Sequence, residues 1–132
     1  MSDRPLPTII GPTENALRAL LVHTLADTNI ASYEDWVLLN MTVGGAPTRA
    51  IATALRVSES EVQAAADALI SQNAFSDRST LSANGLTQLE AGRARVAKMT
   101  ELLTAGIPEE HLRLCAHVLE IVRTRAESQL SR

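Results

Sequence analysis

Between Ile51 and Leu69 two short helical patterns follow one another across a single apolar turn residue, and that arrangement leaves few folds open. Ile51, Ala52 and Leu55 form one apolar stripe, Val62, Ala66 and Leu69 form another, and Val57 stands between them. Ser58 followed by Glu61 is a capping box, in which the hydroxyl and the carboxylate each satisfy an amide left over at a helix start. Two helices joined so tightly make a helix-turn-helix, which usually lays its second helix in the DNA major groove. Reading bases there takes Arg, Lys, Asn or Gln, and holding phosphates takes cations. From Ser58 to Gln72 the charged residues are Glu59, Glu61 and Asp67, all acidic. The scaffold is legible here; its usual chemistry is thin.

At 132 residues the chain suits one domain, or a small subunit that shares its core with a partner. Hydrophobic residues make up 45% but aromatics only 2%, so the core is aliphatic, a composition that favours helices over β-sandwiches. The net charge of −3 offers no general attraction to nucleic acid or to anionic membranes. A single cysteine, Cys115, excludes an internal disulfide and a thiolate zinc cage, and fits a cytoplasmic protein. No apolar run reaches the roughly 20 residues of a membrane span. The opening residues lack the basic-then-apolar pattern of a signal peptide.

The three prolines Pro5, Pro7 and Pro12 predict an extended arm over residues 1–12, with a single domain from 13 to 132. Thr13 caps a first helix to about Asp27, and Ser32 opens a second from Tyr33 to about Thr42. Gly44-Gly45-Ala46-Pro47 ends that helix and Thr48 begins the third. The reader helix runs from Glu59 to about Ser71, followed by a polar link centred on Phe75. Helix five spans Leu86 to Leu103, Gly106-Ile107-Pro108 breaks it, and helix six runs from Glu109 to about Gln129. Helix six is apolar on two sides: Leu112, Cys115, Leu119 and Val122 on one stripe, Leu114, Val118 and Ile121 on the other. One neighbour cannot cover both, so a homodimer interface is expected there.

This order of elements resembles the MarR family of winged-helix regulators. In that family the wing ends in Leu-Ser/Thr-x-x-Gly before a long dimerisation helix, the place held here by Leu81-Ser82-Ala83-Asn84-Gly85, and Asp77-Arg78 matches an Asp-Arg pair of the wing. The helix pattern matches over about residues 13 to 128. The resemblance implies a mainly α, winged helix-turn-helix fold: a reader lobe at about 32–85, dimerisation helices at about 13–30 and 86–129, and a homodimer. It further implies contact with duplex DNA and response to a small phenolic or aromatic acid. The chain departs from the family in its wing, because only eight residues, 73 to 80, lie between the reader helix and Leu81. That gap predicts a wing reduced to a stub or absent. Over residues 48 to 80, three cations face four anions, a net charge of −1 on the surface that would meet a polyanion. Weak or unusual DNA binding follows, carried by Arg49, Arg56 and Arg78 on phosphates, with Ser60 and Gln63 nearest the bases.

His23 and Asp27, four apart, could pair as imidazole and orienting carboxylate, the arrangement of a general base, or be an ordinary surface pair. With Tyr33, Trp36, Asn40 and Met41, His23 outlines a candidate pocket for a small aromatic or polyketide-like ligand; equally, Trp36 could be a core anchor. His111, Cys115 and His117 do not converge around helix six, and Cys115 reads as a buried, inert thiol. No metal-ligand cluster, nucleophile elbow or phosphate loop is present, so no metal or cofactor is expected. Three functions stay open: a ligand-responsive MarR-like regulator, a dimer that binds small molecules or proteins without DNA, and an enzyme built in the former effector pocket.

Overall fold

The computed structural model describes residues 4–132. Among them the order is α1 (Leu6–Thr24), α2 (Tyr33–Val43), α3 (Thr48–Leu55), α4 (Glu59–Ser71), β1 (Phe75–Asp77), β2 (Thr80–Leu81), α5 (Ala83–Thr104) and α6 (Glu109–Leu130). The chain gathers into two compact units, Met1–Met99 and Thr100–Arg132. The reason is visible in α6, none of whose described residues is buried in its own chain.

The core of the first unit is one aliphatic cluster with a single aromatic ring. Leu25, Ile30, Leu38, Leu39, Ile51, Ala52, Val62, Ala66, Leu69, Phe75, Leu81 and Leu89 meet there, with Trp36 and Met41 packed at its margin. Both helix-turn-helix stripes therefore point inward as the 3.6-residue period requires. Ser58 caps α4, its Oγ accepting from Glu61 N at 3.1 Å. Three helix ends close in the same way. Gly45, Arg56 and Asn73 take left-handed backbone angles after α2, α3 and α4, and the next amide returns five residues to the helix, at 3.0, 3.0 and 2.9 Å.

One expectation needs correction, and another is made definite. The extended arm is helical from Leu6, with residues 1–3 lying outside the described residues. Pro7 sits in the first turn, where a missing amide costs nothing. Pro12 lies inside the helix and cannot donate to the carbonyl of Thr8, but the Arg4 guanidinium donates to that oxygen at 3.1 Å instead. The wing is a stub, one of the two outcomes the short gap allowed. Phe75 pairs with Leu81 and Asp77 with Thr80, antiparallel, across an Arg78-Ser79 turn and with a bulge at Ser76. Eight residues suffice because Leu81, from the leucine motif itself, serves as a strand residue.

The same motif explains its own composition. Leu81 is buried opposite Phe75. Ser82 caps α5 by accepting from Gly85 N at 3.0 Å, and its hydroxyl donates to Asn73 O at 2.6 Å. Gly85 must be glycine, since a Cβ there would stand 1.9 Å from the Ala74 carbonyl oxygen. Leu-Ser-x-x-Gly thus locks the end of α4, the hairpin and the start of α5 together.

Candidate nucleic-acid interface

The turn between α3 and α4 opens onto a shallow depression of about 490 Å³ lined by Arg49, Ala52, Thr53, Arg56, Val57, Ser58 and Glu59. Ile51 and Ala52 anchor α3 in the core, which turns Arg49 and Arg56 outward at opposite ends of that helix. Neither guanidinium has an ion pair or side-chain hydrogen bond among the described residues. The two cations, unpaired among the described residues, could meet phosphate there, opposed by Glu59 in the same depression.

The solvent face of α4 is different in kind. With Val62, Ala66 and Leu69 buried, the opposite side carries Ser60, Ala64, Asp67 and Ser71, all exposed. Gln63 lies exposed on the flank, and Ser60 shares a 3.1 Å hydrogen bond with Ser58. Short, neutral side chains leave little to reach a base edge. Asp67, the one charge in this stripe, is held by Arg78 from the hairpin turn. The Arg78 Nε and Nη2 donate to its two carboxylate oxygens at 2.8 Å each. The pairing lowers the Asp67 carboxyl below its usual range and raises the Arg78 guanidinium. The turn is fixed from the other side by Asp77, whose carboxylate accepts from Ser79 N and Oγ at 2.8 and 3.2 Å; that backbone bond is the main reason its pKa is lowered. The sequence places Arg78 correctly on the wing but does not show this fork, because its partner is eleven residues away on another element.

A second grouping lies on α2. Tyr33, Trp36 and Asn40 share one face, while Met41 turns toward the core. The Arg18 guanidinium stacks 4.1 Å from the Tyr33 ring centre, with Glu14 its hydrogen-bond partner at 2.6 Å. Trp36 packs against Gly92 of α5 so closely that a Cβ there would come within 2.9 Å of its Cζ3. Asn40 donates to Trp36 O at 2.8 Å and accepts from Arg93 Nε at 2.9 Å. His23 does not join them. Nor does it pair with Asp27: α1 ends at Thr24, so helical spacing no longer relates the two, and Asp27 forms an ion pair with Arg95. No group of three or more His, Cys, Asp or Glu among the described residues could hold a metal ion.

In the second unit, Leu112 is half-buried and Cys115 is exposed, so the expectation of a buried thiol fails within the single chain. Leu114 is 62% exposed, and Val118, Leu119, Ile121 and Val122 lie between 36% and 39%. Among the described residues no helix is long and apolar enough to cross a membrane.

No family model and no curated relative matches the chain. Among solved structures, the fold is similar to that of a MarR family protein of Mycobacterium tuberculosis in complex with salicylic acid. The two are 19% identical; the match covers 90% of this chain and 98% of that one, with a TM-score of 0.69. The chain therefore has a MarR-like winged helix-turn-helix fold, mainly helical, with a reduced wing.

Proposed function

We propose that this chain is a MarR-like homodimeric regulator that holds duplex DNA by its backbone, through Arg49 and Arg56, with little base reading by α4. The observation that carries this reading is the contrast across the turn: two unpartnered arginines on the α3 side, and a short, neutral stripe with a neutralised acid on the α4 side. Backbone contacts give affinity without sequence preference. Two copies related by a two-fold axis double those contacts, and the exposed apolar stripes of α6 supply the surface on which the copies meet.

The proposed effector is a small aromatic acid. Support comes from the α2 face, where Tyr33, Trp36 and Asn40 offer rings and an amide, with Arg93 beside them to meet a carboxylate. The Mycobacterium tuberculosis protein of similar fold was solved with salicylic acid. A ligand that binds only the native state raises stability. Salicylate is therefore expected to raise the Tm of the native protein and to lose that effect in Arg93→Ala.

The DNA reading is tested by fluorescence polarisation with a labelled duplex of arbitrary sequence at low salt. Arg49→Ala with Arg56→Gly is expected to abolish binding. Glycine at position 56 relieves the left-handed backbone (φ 58°), so the fold survives the test. Unchanged binding in that double variant overturns the reading. A second reading, a dimer that takes small molecules or proteins and no DNA, is favoured by the net −1 over residues 48 to 80. It is adopted if the unmodified protein ignores DNA at low salt.

A further inference from the structure

Arg78 stands at the tip of the hairpin beside α4, and its guanidinium gives its side-on fork, Nε and Nη2, to Asp67. Both acceptor oxygens are taken in a bidentate pair, and the hairpin turn is braced by Asp77 on Ser79. The pair is exposed, with side-chain accessibilities of 55% and 50%, and an exposed ion pair does little for folding stability. Elsewhere this hairpin is held by Phe75 and Leu81 in the core and by Ser82 and Gly85 against Asn73 and Ala74. The hairpin therefore does not need the fork in order to stay in place.

We infer that Asp67 is an internal competitor for phosphate: it occupies Arg78 and so limits how tightly this chain grips DNA. The inference rests on the DNA reading above. A carboxylate and a phosphate offer a guanidinium the same two-oxygen geometry, so they compete for one fork. Asp67 lies on the exposed stripe of α4. Removing its charge turns a neutral ion pair into one free cation on that stripe. The chain retains a wing arginine and disarms it.

The test measures duplex binding by the native protein across a salt series, for wild type, Asp67→Asn, Glu61→Gln, and Asp67→Asn combined with Arg78→Ala. Glu61→Gln makes the same charge change on the same helix without touching Arg78. Asp67→Asn is expected to bind on the order of tenfold more tightly, with a log–log salt slope steeper by about 2, one freed phosphate contact per protomer. Glu61→Gln is expected to gain much less, and the double variant to lose the gain. A purely structural role for Asp67 would weaken binding instead. If wild type binds and Asp67→Asn binds no better, the competitor inference falls and the DNA reading stands. If neither binds at any salt, both fall. If only Asp67→Asn binds, the competitor inference is upheld and the reading that the unmodified chain holds DNA falls.

Discussion

The two compact units of this chain are built from similar aliphatic side chains but use them in opposite ways. In the first, Leu38, Leu39, Leu69, Phe75 and Leu89 are each at most 2% exposed. In the second, Leu102 and Leu114 are 70% and 62% exposed, and no described residue of α6 is buried. Apolar content alone would not separate them. Burial does: the first unit gathers twelve apolar side chains into one buried cluster, while no described residue of α6 is buried. Both units leave some large apolar side chains at the surface, Leu17 at 49% in the first and Leu114 at 62% in the second, but the first also has a buried cluster.

That difference can be broken at its strongest point first. Phe75→Ala removes the one ring in the core and should cost about 3–5 kcal/mol, seen as a large fall in Tm that does not vary with protein concentration. A mild, concentration-dependent fall would mean the first unit is not self-contained. Next, Leu119→Asp places a charge in the exposed stripe of α6 and should weaken self-association by about 100-fold in sedimentation equilibrium, with the far-UV spectrum unchanged. Unaltered self-association would move the interface elsewhere. Thr42→Val sharpens the contrast within the first unit. The Thr42 hydroxyl is buried without a hydrogen-bond partner, so an isosteric methyl should stabilise by about 1 kcal/mol in chemical denaturation.

The smallest effect concerns Asp35, in the first turn of α2. Partial burial raises its carboxyl pKa in the folded state above the unfolded value, against an opposing hydrogen bond from Ser32. Between those two pKa values the folded state binds more protons, so this group's contribution weakens folding as pH rises through that window. Below the unfolded pKa the cost is absent. Asp35→Asn is therefore expected to raise the Tm slightly at neutral pH and to lose that advantage in acid.

How much of this was legible in the sequence depends on how local each signal is. The bounds of α4 were readable from Ser58, Glu61 and the inward stripe, because caps and periodicity act within a few residues. The start of α1 was not, since Pro12 reads as a helix breaker until Arg4 is seen to satisfy the carbonyl it abandons. The stub was one of two readings of the short gap, and the choice between them was not legible because Leu81 belongs both to the leucine motif and to β2. Of the candidate site residues, Arg49 and Arg56 line one depression at the turn, and Ser60 is bonded to Ser58 beside it. The Asp67–Arg78 fork, the Trp36–Gly92 contact and the Asn40–Arg93 bond join separate elements, and no local pattern announces such pairs. His23 and Asp27 failed for the converse reason: a helical spacing was applied beyond the end of a helix.

The salt dependence of duplex binding by the unmodified protein bears most directly on the claim that this fold holds DNA through two arginines per protomer. A log–log slope of about −3.6, indifferent to base sequence, is the expected result for four such contacts across a dimer. Binding that is absent at low salt, or that depends on sequence with a slope near the −10 of a full DNA reader, would contradict it.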